Sequence, residues 1–176
     1  EGNVSQTFTY TKTGGRRSAN QDTGETTFYS YDDLGRLVEE SEGDITKTYT
    51  YDASNNRKTF VLEKSGITVL NMSYEYDKMD RLWKVYEDGT QKASYTYDEN
   101  GNRETLTYTN GNVVEYDYNL ANKLILLRNK RQTTIISEYA YTYFLDGNQE
   151  SKTETLTGKK KVYSYDGLGR LEYEKE

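Results

Sequence analysis

The stretch Tyr29-Ser30-Tyr31-Asp32-Asp33-Leu34-Gly35-Arg36-Leu37 returns in near copies along the whole 176-residue sequence. Tyr95-Thr96-Tyr97-Asp98-Glu99-Asn100-Gly101-Asn102-Arg103 is one copy, and Tyr163-Ser164-Tyr165-Asp166-Gly167-Leu168-Gly169-Arg170-Leu171 is another. The second aromatic of each copy falls at Tyr10, Tyr31, Tyr51, Tyr76, Tyr97, Tyr118, Tyr143 and Tyr165, at spacings of 21, 20, 25, 21, 21, 25 and 22. Two residues earlier stand Phe8, Tyr29, Tyr49, Tyr74, Tyr95, Tyr116, Tyr141 and Tyr163, aromatic every time. Side chains two apart share one face of a strand, so each copy starts with a strand that shows both rings to the same side. Self-similarity at a fixed short period is the mark of a repeat architecture.

Each copy then signals a turn. Asp32, Asp52, Asp77, Asp98 and Asp166 are placed to accept hydrogen bonds from backbone N–H groups just downstream. Three residues on, Gly35, Gly101 and Gly169 tolerate positive φ, and where glycine is missing Asn55, Asp80 and Asn122 stand in for it. A cation or amide follows, in two alternating forms. One ends Arg-Leu, with Arg36, Arg81 and Arg170; the other ends Asn-Arg, with Arg57 and Arg103, and reads as one residue longer. The alternation suggests a unit of two motifs. The turn aspartate is replaced by Thr11, Asn119 and Phe144 in three copies, which are expected to lack the carboxylate cap.

A second turn signal lies midway to the next motif: Thr23-Gly24, Glu42-Gly43, Ser65-Gly66, Asp88-Gly89, Asn110-Gly111 and Thr157-Gly158. After Tyr118 the only counterpart is Asn129-Lys130. The segments between turns are short, rich in Thr, Tyr, Val and Ile, and carry no helical stripe. Each repeat therefore predicts two antiparallel strands. The fold class expected is all-β: repeated antiparallel hairpins in one continuous meander of sixteen strands, about 75 Å across at the usual strand spacing, curved or spiralling through its own twist. The absence of proline agrees, because interior strands use every backbone N–H.

Fewer than one residue in five is Leu, Ile, Val or Phe, a composition that often accompanies disorder. Here 19 tyrosines supply large apolar surface at regular positions, and the net charge of −6 is modest for the length. There is no cysteine for a disulfide or a thiolate, and no apolar run long enough to span a bilayer. The acidic balance argues against nucleic acid as a partner. Arg16-Arg17, Arg128 to Arg131 and Lys159-Lys160-Lys161 read as solvated turns. The chain starts at Glu1 and stops shortly after a motif, which reads as a single array, residues 1–176, cut from a longer protein.

The Tyr-Asp motif, its spacing and its Gly-Arg-Leu or Gly-Asn-Arg endings resemble the RHS repeat, also called the YD repeat, over Phe8 to Leu171. That family includes bacterial RHS polymorphic toxins, wall-associated proteins, the B and C subunits of Tc toxins, and teneurins. The resemblance implies a β-shell strip, a secreted or cell-surface location, and a parent whose shell encloses a C-terminal effector. No effector, self-cleaving segment or plug is recognisable in this stretch. Partners implied are the rest of the parent protein and its effector.

Catalytic chemistry finds little to work with. There is no histidine, no nucleophile elbow and no phosphate-binding loop. Carboxylates such as Glu39-Glu40 or Asp32-Asp33 could serve a glycosidase, yet nothing marks one pair out. Asp98 to Asn102 has its glycine two places early for an EF-hand and reads as a turn. No cofactor or metal is expected. Two functions stay open beside the shell reading: a carbohydrate- or protein-binding module using the aromatic ladder, and, more distantly, a glycosidase-type enzyme. An isolated array also leaves strand edges unpaired, which predicts edge-to-edge self-association.

Overall fold

The computed structural model describes residues 5–21 and 24–176, in which every regular element is a strand. The first eight are β1 (Gln6–Tyr10), β2 (Arg16–Gln21), β3 (Thr26–Tyr31), β4 (Leu37–Glu42), β5 (Ile45–Tyr51), β6 (Arg57–Lys64), β7 (Ile67–Tyr76) and β8 (Leu82–Glu87). The rest are β9 (Thr90–Tyr97), β10 (Arg103–Tyr108), β11 (Asn112–Tyr118), β12 (Leu124–Arg131), β13 (Thr134–Tyr143), β14 (Gln149–Glu154), β15 (Lys159–Tyr165) and β16 (Leu171–Lys175). Sheet order follows chain order from β1 to β16, antiparallel throughout. The predicted hairpin meander is the observed fold. By contact density the chain divides into two compact units, Glu1–Gln91 and Lys92–Glu176.

Within each unit one register rule governs the step between repeats. Numbering each motif turn from its first residue (Asp32, or its equivalent) as position zero, position +7 faces position −4 of the next motif. Ser18 thus pairs with Phe28, Glu39 with Thr48, and Thr59 with Ser73. Thr105–Glu115, Leu126–Ala140 and Ser151–Val162 repeat it in the second unit. Inside each motif hairpin a bulge sits next to the second tyrosine, as at Ser30/Tyr31 and Ser164/Tyr165. Bulges of this kind pin register and raise local twist.

Each unit has very little interior. Ala93 and Leu106 are the buried apolar residues among those described. The aromatic pairs of the inner motifs are half-buried, against each other and against the neighbouring hairpin. Half-burying a tyrosine removes about 100 Å² from water, worth about 2.5 kcal/mol per ring, so stability is spread along the array. Tyr49 stacks on Phe60 at 5.4 Å, and Phe144 meets Tyr165 edge-on at 6.4 Å. The opposite face carries hydroxyl pairs across each Asn-Arg hairpin: Thr9–Ser18 (2.7 Å), Thr50–Thr59 (2.6 Å), Thr96–Thr105 (2.8 Å) and Thr142–Ser151 (2.8 Å).

Three expectations need correction. The turn after Tyr118 is not at Asn129-Lys130. Both residues lie in β12 and pair with β11 and β13, and the chain reverses two residues beyond Lys130, at Gln132, with φ 54°. Gln132 N–H donates to the Gly111 carbonyl (2.9 Å), which helps hold this unusual conformation. The basic clusters are not turns either. Arg16-Arg17 begin β2, Arg128 to Arg131 close β12, and the three lysines open β15. Arg128 bridges Glu115 (2.9 Å) and Glu138 (2.5 Å) on the flanking strands, and Lys130 also binds Glu115 (2.7 Å). Finally, the Asn-Arg motif is not longer than the Arg-Leu motif, for reasons set by the turn itself. Of the midway signals, Thr23 lies outside the described residues, while Gly24 takes φ 90°.

Candidate functional site

The motif turn has the same frame in all eight copies. The N–H of position zero donates to the carbonyl of position +4, as in Asp32 to Arg36 (3.0 Å) and Asp98 to Asn102 (2.9 Å). The N–H of position +3 donates back to position zero, as in Gly35 to Asp32 (2.9 Å). Position +3 has positive φ throughout: Gly14, Gly35, Gly101, Gly147 and Gly169, and equally Asn55 (70°), Asp80 (58°) and Asn122 (56°). Asparagine and aspartate are the side chains that bear this conformation best. Because both bonds span the same number of residues in either form, the two motifs have turns of one length.

What alternates is the pair of side chains after that turn. In the Arg-Leu form the guanidinium is at +4. Arg36 binds the Asp32 carboxylate through Nε (2.7 Å) and Nη2 (2.7 Å), donates through Nη1 to Asn55 of the next turn (2.7 Å), and lies over the Tyr51 ring (4.6 Å). In the other form an amide takes over these bonds: Asn56 Nδ2 reaches Asp52 (3.3 Å) and Asp80 of the next turn (3.0 Å). Asn102 likewise joins Asp98 and Asn122, both at 2.9 Å. The arginine then moves to +5, on the aromatic face. Arg16 lies over Phe8 (4.6 Å) and Tyr29 (5.9 Å), and Arg103 over Tyr95 (4.7 Å) and Tyr116 (5.8 Å). Arg57 covers Tyr49 (5.6 Å). Such cation–ring contacts contribute about 0.5–1 kcal/mol each at partly exposed sites.

The carboxylate caps are as expected. Asp77 accepts from the N–H groups of Met79 (2.9 Å) and Arg81 (3.0 Å), and Asp166 from those of Leu168 (2.9 Å) and Arg170 (3.0 Å). Where the carboxylate is absent the turn finds substitutes. Asn119 accepts the same two N–H bonds, from Ala121 (2.9 Å) and Lys123 (3.0 Å). Thr11 Oγ1 accepts from Gly15 N–H (3.0 Å), and Asp146 accepts from Asn148 N–H (2.9 Å) where Phe144 holds position zero.

These contacts shift the carboxyl groups. The Arg36 and Arg170 N–H bonds first, then their guanidinium bonds, hold Asp32 and Asp166 below 3.8. The Arg81 guanidinium does the same for Asp77, and the Asn102 amide for Asp98. All four stay ionised at neutral pH, which suits a cap and not a proton donor.

The second tyrosine has a role that sequence alone does not reveal. Its hydroxyl donates to the backbone carbonyl at +5 of the preceding motif: Tyr31 to Arg16 (2.9 Å), Tyr51 to Leu37 (2.7 Å), Tyr76 to Arg57 (2.8 Å), Tyr143 to Leu124 (2.7 Å) and Tyr165 to Gln149 (3.0 Å). Tyr118 makes no such bond. Burial pushes the phenols of Tyr49, Tyr76, Tyr118, Tyr141 and Tyr143 above 10.0.

For other chemistry the arrangement offers little. Glu39 and Glu40 are neighbours on a strand, so they face opposite sides of the sheet. The cleft holding Glu40 and Glu42 has the first bound to Lys47 (2.6 Å) and the second to the Thr27 hydroxyl (2.5 Å). Among the described residues no group of three or more His, Cys, Asp or Glu side chains converges to hold a metal.

The geometry thus defines a class: an array of hairpin repeats joined by invariant turns and tyrosine staples. No family profile and no curated protein matches the sequence. Solved structures do. The chain superposes on the crystal structure of TcdB2-TccC3-Cdc42 with a TM-score of 0.70 and 18% identity over 94% of its length. It matches TcdB2-TccC3-TEV with TM-score 0.70 and 17% identity over 94%. A Photorhabdus luminescens Tc holotoxin pore with a mutated TccC3 gives 0.59 and 15%, again over 94%. The chain spans 10–12% of the length of these proteins, and the likeness is one of fold. The chain therefore shares the fold of a part of these Tc toxin structures, a group to which its resemblance to the RHS/YD repeat pointed.

Proposed function

We propose that the chain is a non-catalytic segment of a secreted RHS/YD-type protein, one stretch of a β-shell that encloses a C-terminal toxin or effector. One observation carries the reading: the motif residues that could have formed a site are spent, copy after copy, on the same turn, cation–ring and phenol–carbonyl contacts. A site occurs once; a building element recurs in register. The fold likeness to Tc toxin proteins supports the same role, and the half-buried rings under Arg57 and Arg103 leave a sugar less face to stack on.

The test is limited proteolysis of a full-length protein bearing this segment. Its C-terminal region should resist protease while the shell is intact. Combined Tyr31→Phe, Tyr51→Phe and Tyr76→Phe changes should expose it at lower denaturant. If the C-terminal region is cut as fast in the intact protein as when expressed alone, the enclosure role fails.

A further inference from the structure

The motif turns lie along one margin of each unit, and the alternation of forms decides what they show to solvent. In the Arg-Leu form the tip is apolar. Leu34, Met79 and Leu168 stand at +2 and are 73%, 70% and 79% exposed, and Leu120, at +1, is fully exposed. In the other form the +2 residue is polar, being Thr13, Ser54, Asn100 or Asp146, although Leu145 beside Asp146 is an apolar exception. Turns of one form recur every four strands, so the apolar knuckles follow one another at about 19 Å.

The charge between these knuckles changes sign from one unit to the other. Over positions zero to +6 the four turns of the first unit hold eight cationic and five anionic side chains, whereas those of the second hold three and seven. The Asn-Arg turns make the difference. Lys12, Arg17 and Lys58 are exposed at their +1 and +6 positions in the first unit, and Glu99, Glu104 and Glu150 are exposed at the same positions in the second. None of Lys12, Arg17, Lys58, Glu99 and Glu150 forms an ion pair with another described residue. Each margin therefore carries uncompensated charge of one sign, which attracts a surface of the other.

We propose that the basic motif margin of the first unit docks on the acidic motif margin of the second unit of another copy. Like form faces like form, so the Asp32 turn meets the Asn119 turn with Leu34 against Leu120, and Arg17 and Lys58 lie opposite Glu99 and Glu150. Both margins have the same four-strand period, so the match extends over several turns. An open cleft of about 630 Å³ between the first two turns, lined in part by Thr13, Arg17, Asp33 and Leu34, gives an incoming leucine a seat. Opposite charge steers the encounter and fixes its register, and the knuckles supply apolar contact. A margin runs along the side of the array, so further repeats before β1 or after β16 leave it in place. The contact is independent of what a shell would enclose.

The test exchanges the charges. Arg17→Glu with Lys58→Glu turns the first margin acidic, and Glu99→Lys with Glu150→Lys turns the second margin basic. In sedimentation velocity at low salt the unmodified chain should gain mass between about 10 μM and 1 mM, the range of a small, transient interface. Half-molar salt should shift that gain to about tenfold higher concentration. Each charge-exchanged chain alone should stay monomeric. An equimolar mixture of the two should associate, because the unaltered margin of one then meets the unaltered margin of the other, a recovery that misfolded chains would not show. The chain has no cysteine, so a second readout is clean. Under mild oxidation Leu34→Cys should form a mixed disulfide with Leu120→Cys about tenfold faster than with Lys160→Cys, whose thiol lies in β15 beside a midway turn. Equal disulfide rates, or a mixture no more associated than its components, overturn the proposal. A strictly monomeric unmodified chain overturns it too, and assigns the margin to a partner other than this chain.

Discussion

Tyr51→Phe removes one oxygen and leaves the ring beneath Arg36 in place. The lost bond, Tyr51 Oη to the Leu37 carbonyl at 2.7 Å, joins one motif hairpin to the next. A net intramolecular hydrogen bond contributes about 1 kcal/mol, and a part-buried carbonyl left without a donor raises the cost to about 1.5 kcal/mol. Tyr31, Tyr51 and Tyr76 lie two strands apart in succession, about 10 Å, so their costs should add, giving roughly 3–4.5 kcal/mol for the triple Phe variant. At about 2–4 °C per kcal/mol for a chain of this size, Tm should fall by about 6–18 °C. Trp83, in β8, gives a fluorescence signal native to the first unit, and urea titration followed by it measures the change directly. Tyr10→Phe is the internal control: same chemistry, no acceptor among the described residues, no loss expected. A triple variant within about 0.5 kcal/mol of the parent, or a Tyr10→Phe loss equal to that of Tyr51→Phe, would refute the stapling argument, whose magnitude rests on one hydrogen bond per tyrosine.

Other outcomes follow from the turn and the sheet. Gly35→Ala meets no atom within 4 Å of the new Cβ, so its cost is the left-handed backbone alone, about 1–2 kcal/mol by thermal unfolding. Asp77→Asn should be milder than Asp77→Ala in the same assay, because Asn119 shows that an amide keeps both N–H bonds of the cap. Leu106→Ala, at one of the few buried apolar sites, should cost about 2 kcal/mol, the low end for a core leucine, since one side of the sheet is open. The pH profile of the urea midpoint has two limbs. The turn aspartates have folded pKa values below 3.8, so their stabilisation is full above about pH 4 and is lost as pH falls through the folded values. The phenols are raised above 10.0, so their contribution holds below about pH 10 and is lost as pH climbs through their folded values. A midpoint unchanged from pH 6 to pH 2 contradicts the first limb.

Strand count, pairing order and the motif turn are legible in the sequence because each is a local matter. Paired rings two apart, an aspartate, and a residue tolerant of positive φ specify a hairpin whatever surrounds it. The exchange of roles between positions +4 and +5 is not legible, because Arg36 and Asn56 look unrelated until both are seen reaching the next turn. The arginine positions alone make one form look longer. Gln132 is not legible for a different reason: glutamine has no preference for φ 54°, and the bond from its N–H to the Gly111 carbonyl in the neighbouring turn helps hold it. The phenol staples end on carbonyls, which every residue has, so no side-chain pattern could announce them. Tyrosine in place of phenylalanine at position −1 was the one available signal.

The fixed register rule divides the chain into a margin that cannot change length and a margin that can. From +7 back through the motif turn to −4 the count is constant, so the spacing differences must fall in the midway hairpins. The two 25-residue spacings bear this out: β6 with β7, and β12 with β13, are the elongated pairs, and their far ends carry exposed Ile67 and Val69, and Ile135 and Ile136. Evolution and engineers therefore meet the same asymmetry. Segments grafted or duplicated at Gly66 or Gln132 lengthen a hairpin outside the register rule, at the cost of the bonds from Ser65 N–H to the Asp44 carbonyl or from Gln132 N–H to the Gly111 carbonyl, whereas one residue added at Gly35 breaks the motif turn that sets the register.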